Sequence, residues 1–461
     1  IAEGLKEGRA PAYEPSTARG KIPTFAEFFP RHLEYMRSNG LKERTIESTE
    51  ILYRLYLGPL LGHLRMDRIG TARRWSILLV ALCATLFSNV FINGVAFLIP
   101  TLHRDLGLDL ARAGLVSAMP SFGMVLTLIA WGAVVDRIGE RTVLALGSAL
   151  TAAAAFGAAA ADSLIAVQVF LLLGGMAAAS SNAASARMVV GWFPPEQRGL
   201  AMGIRQTAQP LGVGLGALVI PQLAAAHGVS VALMFPGVVC AIAAVLSVMC
   251  LVDPPRPARA DAHPDDLANP YRGSDTLWRI HLVSVLLVVP QCLVWTFTLV
   301  WLMTDRGWSA SAAGAIVTVA QLLGAAGRIA AGRWSDRIGS RLRPIRSIAL
   351  AAAVSMALLA VTEVFDSPIS VLLMLVASVV TVSDNGLAFT AIAEIAGPFW
   401  SGRALGAQNT SQLFTCGVVP PAFGALIGTA GYAVAFGVCA VFPLIALPLI
   451  PVRDDPLAKA L

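Results

Sequence analysis

Three ionisable side chains, Arg205, Arg328 and Asp384, border or interrupt long apolar stretches of the chain. An ionisable group in such surroundings is costly and predicts a functional site by default. A carboxylate that faces an arginine there can serve as a proton site, an anion site or a gate. The alternatives are that the arginines snorkel to an aqueous interface or that the pair is purely structural.

The positions of Arg328 and Asp384 along their stretches predict that the two side chains meet. Arg328 lies 19 residues after Ser309, and Asp384 lies 17 residues after Ser367. If both stretches are helices that run in the same direction, a rise of 1.5 Å per residue puts the two at depths that agree within about 3 Å.

The composition indicates which elements must position these groups. Of the 461 residues, 56% are hydrophobic and only 13% are charged, whereas a soluble domain carries about 25% charged residues. The mean hydropathy is +0.70 and the formal charge is +6. Residues 1–70 hold 20 of the 62 charged side chains. The chain therefore predicts a polar N-terminal segment joined to a membrane-embedded body, and a single soluble globule is excluded.

The apolar stretches predict transmembrane helices, because a spanning helix needs about 20 apolar residues and these stretches do not alternate as barrel strands do. Ten segments are expected between residues 75 and 393, the ninth short and the tenth interrupted by Asp384. Residues 404–452 carry no charge and are long enough for two helices joined near Gly428–Gly431. The predicted fold class is an all-α membrane protein with twelve transmembrane helices in two six-helix pseudo-symmetric halves, plus a small N-terminal soluble helical segment.

The arginines of the loops predict the orientation, since short loops rich in Lys and Arg stay in the cytoplasm. One face collects most of these arginines, and the other has only Arg104, Arg112 and Arg306. We expect a multi-pass protein of the cell (inner) membrane with both termini cytoplasmic. The expected segments are a soluble appendage (1–70), a first six-helix half (71–252), a cytoplasmic linker (253–277) and a second six-helix half (278–461).

The remaining motifs exclude several classes of chemistry. The six cysteines lie in apolar runs without metal-ligand spacing, so neither a disulfide framework nor a metal site is expected. No phosphate-binding Walker sequence occurs, so ATP is not the expected energy source, and neither a cofactor nor an enzymatic activity is predicted.

An internal repeat at an offset of 200 residues relates the two halves. Gly132, Asp136, Arg137, Gly139 and Arg141 recur in register in the later segment. The second copy consists of Gly332, Asp336, Arg337, Gly339 and Arg341. A second match pairs the segment 203–209 with the segment 406–412.

With these two copies at the ends of the second and eighth spans, the region 73–453 resembles the major facilitator superfamily of transporters. Its loop signature reads Gly-x-Leu-x-Asp-Arg-x-Gly-Arg followed by a basic residue. This chain departs from it at Val134 and Trp334, and at Glu140 and Ser340. The Gly-Pro signature that drug antiporters carry in the fifth helix is not reproduced by residues 209–216, so multidrug antiport gains no support.

The resemblance implies a substrate cavity between the halves near the bilayer midplane. The residues expected along the substrate or proton pathway are Asn93, Arg205, Gln209, Gln291, Trp295, Gln321, Arg328, Asp384 and Asn409. Amides inside membrane helices also bond neighbouring helices together, and this alternative stays open for each of them.

The repeated loops are expected to act as conformational switches. Gly132 and Gly139 permit tight helix ends, and Asp136 can bind the amides of a helix N-terminus or an arginine. Arg137 and Arg141 can pair across the interface between the halves. The alternative is that these residues only end helices and maintain topology.

Residues 24–69 predict two soluble helices. Thr24 and Glu27 form a capping box, and the second helix is expected to run to Leu57 and to end at Gly58–Pro59. This segment resembles the N-terminal core-binding module of phage-type tyrosine recombinases, without their catalytic domain. Its 11 basic and 9 acidic residues are nearly balanced, so DNA binding by residues 1–70 is not expected.

The predicted function is secondary transport of a small solute by alternating access, with the lipid bilayer and a small-molecule substrate as partners. Arg205 and Arg328 favour an anion. Both proton coupling through Asp384 and facilitated diffusion remain open. The competing hypothesis is a DNA-binding or inactive recombinase–transporter chimera.

Overall fold

The computed structural model describes residues 24–54 except 39 and 41, residues 66–102 except 100, and residues 110–254 and 267–455. The chain divides into two compact units, Ile1–Ser76 and Ile77–Leu461. In the second unit we call residues 77–254 the first half and residues 267–455 the second half.

The described part of the first unit contains the helices α1 (Phe25–Ser38) and α2 (Glu43–Leu52). The predicted capping box is present: the Thr24 amide donates to Glu27 Oε2 (2.8 Å), and the Glu27 amide donates to Thr24 Oγ1 (3.3 Å). Phe29 is buried and stacks on Tyr53, with ring centres 3.7 Å apart. The predicted end of the second helix at Gly58–Pro59 lies outside the described residues.

The apolar stretches of both halves form helices, connected by short loops. Those that begin before the second half are α3 (Met66–Gly94), α4 (Leu110–Ile138), α5 (Glu140–Ala159), α6 (Leu164–Ala178), α7 (Ser180–Trp192), α8 (Pro195–Arg205) and α9 (Ala208–Cys250), with a 3₁₀ turn at Val95–Leu98. Those of the second half are α10 (Pro270–Gly273), α11 (Thr276–Thr304), α12 (Ala310–Ile338), α13 (Leu342–Val364), α14 (Ile369–Val380), α15 (Asn385–Ala396) and α16 (Ser401–Leu449), with a 3₁₀ turn at Val452–Asp454. The short helix α10 lies in the predicted linker, of which residues 255–266 are outside the described part.

Ten helical segments of the described residues are long and apolar enough to cross a membrane. Two of them are much longer than one crossing requires: Pro195–Cys250 has 56 residues, and Ser401–Leu449 has 49. Each contains one residue with non-helical dihedrals, Gly228 (φ 85°) in the first and Gly431 (φ 80°) in the second. Gly431 falls within the joint predicted at residues 428–431.

Each half has its own apolar core. The core of the first half includes Phe91, Leu128 and Leu171, and the core of the second half includes Trp301 and Phe436. All five side chains are fully buried. Large apolar side chains on the outer surfaces, in contrast, are exposed, as expected for helices that face lipid tails. Separate cores allow the halves to move as two bodies.

Three helical segments are interrupted partway along their length. The interruptions lie at Ala179 between α6 and α7, at Gln206–Thr207 between α8 and α9, and at Thr381–Asp384 between α14 and α15. An interrupted helix leaves main-chain carbonyls without their usual partners, and other groups must satisfy them. Two of these interruptions position the arginines described below.

Candidate functional site

A cavity of about 250 Å³ lies between the two halves. Arg205 of the first half and Arg328 of the second half are the charged residues that line it, and no acidic side chain of the described residues does. Seven predicted pathway residues line it: Asn93, Arg205, Gln209, Gln291, Trp295, Arg328 and Asn409. The wall therefore combines guanidinium groups with amides.

Arg205 ends α8 and is only 2% exposed. Its Nε donates to Ser185 Oγ (2.9 Å), and its Nη1 donates to Gln206 Oε1 (3.0 Å). Its Nη2 donates to the carbonyl of Asn182 (2.8 Å), and the guanidinium lies 5.9 Å from the centre of the Phe389 ring. Within the described residues it has no carboxylate partner within 4.0 Å. The guanidinium therefore does not snorkel, and its charge is held by neutral oxygens alone.

Arg328 is 3% exposed and binds carbonyls at two helix interruptions. Its Nε donates to the carbonyl of Val382 (3.4 Å), in the interruption of the second half. Its Nη1 donates to the carbonyl of Gln206 (3.2 Å), in the interruption of the first half. Arg328 thus links the two halves deep inside the molecule.

Asp384 is 2% exposed and precedes α15. It is near enough to Arg328 for electrostatic attraction, but the two form no ion pair within 4.0 Å in the part of the chain that the structure describes. The Asp384 Oδ2 atom is buried without a hydrogen-bond partner, and the residue does not line the cavity. The expected proximity is therefore present, whereas direct contact is not, because the guanidinium is turned toward the carbonyls of Val382 and Gln206.

Several cavity amides form a chain across three helices. Asn385 donates to Gln291 Oε1 (3.0 Å), and Gln412 donates to Asn385 Oδ1 (3.2 Å). Asn93 and Asn409 instead donate to carbonyls one turn earlier on their own helices. Gln291 is thus held by neighbouring helices, while Asn93 and Asn409 are satisfied locally.

Gln321 does not line the central cavity. It borders a separate, smaller pocket together with Trp295 and Arg328. Gln321 and Arg328 share one face of α12 because seven residues make about two turns. Ser378 and Val382 line this smaller pocket as well.

The cysteines differ from the expectation of no disulfide. Cys292 on α11 and Cys416 on α16 are joined by a disulfide, with Cα atoms 5.5 Å apart, and both line the cavity. They are 124 residues apart in the chain. Their pairing depends on the packing of two helices, which residue spacing does not reveal.

Two glycine pairs bring the halves into main-chain contact. A Cβ atom on Gly132 would clash with the carbonyl of Gly402, and one on Gly332 would clash with the carbonyl of Gly199. The prediction that Gly132 permits a tight helix end is wrong, because Gly132 lies inside α4, six residues before its end, and Gly332 has the same place in α12. Their role is close approach of helices from opposite halves.

Gly139 and Gly339 do lie at helix ends, where φ is 95° and 60° respectively. These values fall in the region that favours glycine, since a Cβ atom would be strained there. Each glycine separates two consecutive helices of its own half.

Asp136 binds the N-terminal end of α16 from the opposite half. It accepts hydrogen bonds from the amides of Gly402 (2.9 Å) and Arg403 (3.2 Å) and from Arg403 Nε (3.0 Å). Within its own half it is paired with Arg187 (2.6 Å), which also contacts Glu140 (3.1 Å). A carboxylate at a helix N-terminus is favourable because the free amides and the helix dipole both attract negative charge.

Asp336 occupies the corresponding place in the second half. It accepts hydrogen bonds from the amides of Gly199 (2.9 Å) and Leu200 (2.8 Å) of the first half, near the start of α8. Arg341 binds Asp336 (2.6 Å) and also Glu394 (3.3 Å). The two loops therefore make pseudo-symmetric contacts across the interface.

The expectation that Arg137 and Arg141 pair across the interface is wrong. Arg137 is exposed, as is Arg337, and Arg141 donates to the carbonyl of Val248 (2.6 Å) in its own half. The aspartates bond main-chain amides of the opposite half, and Arg341, the counterpart of Arg141 in the repeat, does cross the interface by donating to the carbonyl of Pro195.

Sequence reasoning missed the partners of these loops. Arg187, Arg198, Glu394 and Arg403 complete the two charge clusters, and Arg198 reaches across to Glu394 of the other half (3.1 Å). One signal was present in the chain: Glu140 stands where the loop signature of the family has a basic residue. An acid at that position fits its contact with Arg187.

A further polar cluster links α11 and α16 near the same end. His281 Nδ1 lies 2.7 Å from Gln408 Oε1, and its Nε2 lies 2.9 Å from the Tyr271 hydroxyl. Burial raises the pKa of Tyr271, which lies outside the apolar helices, to about 12. The phenol therefore remains protonated at neutral pH.

Comparison with known proteins agrees with this architecture. The chain matches the family model of the Major Facilitator Superfamily over residues 77–420. It is 58% identical over 390 residues to an uncharacterized MFS-type transporter of Mycobacterium tuberculosis, covering 85% of this chain and 87% of the relative. It is 25% identical over 424 residues to a gallate transporter of Pseudomonas putida, covering 83% and 91%.

Among solved structures, the human organic anion transporter MFSD10 superposes with a TM-score of 0.67 at 19% identity, covering 82% of this chain and 99% of the other. This likeness shows a common fold. Together with the match over residues 77–420 and the ten apolar helices, it identifies a multi-pass membrane transporter that is not an enzyme. The chain belongs to the Major Facilitator Superfamily.

Proposed function

We propose that this protein transports a small organic anion by alternating access, with Arg205 and Arg328 as the anion site. The observation that carries this proposal is the pair of buried guanidinium groups, one from each half, at a cavity that no acidic residue of the described chain lines. A buried charge without a counter-ion is costly. An anionic substrate would supply the missing negative charge.

The relatives support this substrate class without deciding it. The name of one relative specifies gallate, a hydroxylated aromatic carboxylate, and the name of one structural neighbour specifies organic anions. In this chain the guanidinium groups suit a carboxylate, and the cavity amides suit hydroxyl groups. Trp295 adds an aromatic surface to the same cavity.

We further propose twelve membrane passes in two six-helix halves. At 1.5 Å per residue, the 56-residue and 49-residue helical segments are each about 70–85 Å long, against about 30 Å for the apolar bilayer core. Gly228 and Gly431 would divide each into two passes. The arginine-rich loops favour the cytoplasm for the end that carries Asp136 and Asp336.

With this orientation we propose an inner-membrane protein with both termini in the cytoplasm, and we interpret the closed contacts at the Asp136 and Asp336 loops as those of an outward-facing state. The glycine pairs and the two aspartates hold the halves together on the cytoplasmic side. Release of these contacts would let the halves rock about the cavity and open it inward. The repeated loops therefore act as the conformational switches.

Asp384 is our candidate for proton coupling, in contrast to facilitated diffusion. Its buried carboxylate has one unpartnered oxygen and lies near Arg328. Protonation of Asp384 would remove its attraction for Arg328 and leave that guanidinium free for the substrate anion. Proton binding and anion binding would then support each other.

Uptake into proteoliposomes with an imposed pH gradient tests these assignments. We expect uptake of gallate or another small carboxylate, and none of sugars or amines. Arg205→Gln is expected to lower kcat/KM at least about tenfold, because a hydrogen-bonded charge is lost from the site. The matched control is Arg333→Gln, which removes an exposed arginine of α12.

For Asp384→Asn we expect loss of gradient-driven accumulation with retained exchange of substrate. Undiminished uptake by Arg205→Gln would contradict the anion site. Gradient-driven accumulation that survives in Asp384→Asn would assign Asp384 a structural role instead.

We propose that residues 1–70 are an appendage that transport does not require. The family match begins at residue 77, and the balanced charge of this segment does not favour DNA binding. The recombinase-like similarity of residues 24–69 fits a fusion remnant. Uptake by a chain that lacks residues 1–65 is the deciding measurement, and its loss would contradict the proposal.

A further inference from the structure

Gln206 lies in the helix interruption between α8 and α9, directly after Arg205. Its side chain is partly exposed to the cavity, and it is one of the cavity-lining residues. Neither the loop signature nor the pattern of charges singled it out. Its two oxygen atoms nevertheless contact both arginines of the proposed anion site.

The contacts of Gln206 are divided between the halves. Its side-chain Oε1 accepts a hydrogen bond from Arg205 Nη1 at 3.0 Å, within the first half. Its main-chain oxygen accepts one from Arg328 Nη1 at 3.2 Å, from the second half. The Nη1 atoms of both arginines are therefore directed at one residue, which supplies a neutral oxygen to each.

Apart from a longer contact of Nη2 with the side-chain Oδ1 of Asn182 (3.4 Å), the other oxygens bound to Arg205 are parts of the fold. Ser185 is fully buried, and the carbonyl of Asn182 belongs to the main chain of α7. The Gln206 amide is different, because it is on a side chain that reaches into the cavity and can rotate away. Of the two side-chain amide oxygens at Arg205 it is the closer one, at 3.0 Å against 3.4 Å for Asn182 Oδ1, and we take it as the one that a ligand replaces.

We propose that the Gln206 side chain is an internal substitute ligand in the anion subsite of Arg205, and that a substrate carboxylate must displace it. This inference rests on the proposed function and names the residue that sets the affinity. A carboxylate binds a guanidinium more strongly than a neutral amide does, because the hydrogen bond gains a full negative charge. The displaced amide remains solvated in the polar cavity.

The arrangement also links binding to the interface between the halves. A carboxylate bound at Nη1 of Arg205 lies beside the carbonyl that holds Arg328. One small anion can then contact a guanidinium of each half, whereas a neutral solute has no charge with which to displace the amide. Gln206 therefore selects for anions.

Three variants of the full chain test this inference. Gln206→Ala removes the competitor, and we expect gallate to bind about threefold to tenfold more tightly, which is the effect of one hydrogen bond. Gln206→Glu supplies a permanent internal carboxylate of nearly the same shape. We expect it to weaken gallate binding at least about tenfold, since the charged hydrogen bond is already made.

Gln209→Glu is the matched control for added charge. Gln209 lines the same cavity three residues further along, but it makes no bond to either arginine in the described structure. Its effect on gallate binding should be smaller than that of Gln206→Glu. Equal losses in the two variants would overturn the proposal and assign the effect to the general charge of the cavity.

The measurements are calorimetric titration with gallate and the apparent melting temperature of the purified protein without ligand. Gln206→Glu should melt above wild type, because Arg205 gains a counter-ion, and Gln206→Ala should melt below it. Weaker gallate binding by Gln206→Ala would show that Gln206 is a direct ligand of the substrate and would overturn the proposal.

The melting temperatures separate this inference from the proposed function. If wild type binds neither gallate nor any other carboxylate, the anion function fails, and the melting order still decides whether Gln206 Oε1 occupies a charge-binding subsite. A Gln206→Glu variant that folds but melts no higher than wild type would overturn the inference, whatever the transport result.

Discussion

At the residue scale, the buried charges around the two repeated loops are arranged as compensated clusters, unlike Arg205 in the cavity. Arg187 is 5% exposed and serves two carboxylates, Asp136 at 2.6 Å and Glu140 at 3.1 Å. Removal of one partner from a buried ion pair is strongly destabilising because the other charge is left uncompensated. Arg205 has no carboxylate partner among the described residues, and under the proposed function the substrate anion is its counter-ion.

Replacement of Arg187 by Gln should therefore destabilise the folded protein by about 3 kcal/mol, since the buried carboxylates of Glu140 and Asp136 each lose a cationic partner and Asp136 alone keeps Arg403. The matched control is Arg137→Gln in the adjacent loop, where the side chain is exposed and a change within about 0.5 kcal/mol is expected. Thermal unfolding in detergent measures both. Equal melting temperatures for the two variants would contradict the assigned role of Arg187.

At the element scale, the helices that meet across the interface depend on small residues. α12 approaches α8 at Gly332 and Gly199, and α4 approaches α16 at Gly132 and Gly402. Without side chains at these four positions, the main chains come into contact and the aspartates reach the free amides. The close approach is therefore a property of the state seen here, and under the proposed alternating access the opposite state would not need it.

Gly332→Leu should disfavour this state, because any side chain at position 332 collides with the main chain of Gly199. We expect the equilibrium to shift toward the state that is open on this side. The control is Gly314→Leu on the same helix, where no atom lies within 4 Å of an added Cβ.

Labelling of single cysteines introduced into the cavity wall, from each side of the membrane, measures this equilibrium. Greater access from the side of the Asp136 and Asp336 loops is expected for Gly332→Leu alone. Access that does not differ between the two leucine variants would refute the steric argument.

At the scale of the whole molecule, the two halves repeat the same contact with different charges around it. Asp136 binds amides at the N-terminus of α16, and Asp336 binds amides in the second turn of α8, near its N-terminus, each in the opposite half. Beside each aspartate lies an ion pair, Arg187 with Glu140 in the first half and Arg341 with Glu394 in the second. In the first half the residue after the loop glycine is the acid and the later helix supplies the base, whereas in the second half the loop supplies the base and the later helix the acid. The symmetric element is thus the aspartate, and the ion pairs behind it are variable.

Because the two contacts are equivalent, Asp136→Asn and Asp336→Asn should shift the equilibrium in the same direction, toward opening on this side. A carboxylate at a helix N-terminus contributes about 0.3–2 kcal/mol, so each single variant should change the population ratio by up to about thirtyfold. The double variant should shift it further than either single variant.

Asp162→Asn, which removes an exposed acid, serves as the control and should have no effect. Distance measurements between spin labels on the two halves report the populations. Opposite shifts by the two aspartate variants would show that the repeated loops are not equivalent.

The features that could be predicted from the sequence are those that depend on residues close together in the chain or on a regular repeat. Apolar length, loop arginines and the 200-residue repeat are local or periodic features, and the membrane class and family follow from them because a bilayer imposes helices of a given length. Arg205, Arg328 and Asp384 were evident for the same reason, since a charge inside an apolar run is visible without a structure.

The partners of these residues were decided only by the tertiary structure. Arg328 turns to the carbonyls of Gln206 and Val382 because two helices are interrupted there, and no residue pattern marked the interruption at Gln206. The Cys292–Cys416 pair and the Arg187 cluster join segments that are 124 and about 50 residues apart. Contacts of this kind depend on how helices pack, and packing is set by the sum of many weak contacts that residue spacing does not encode.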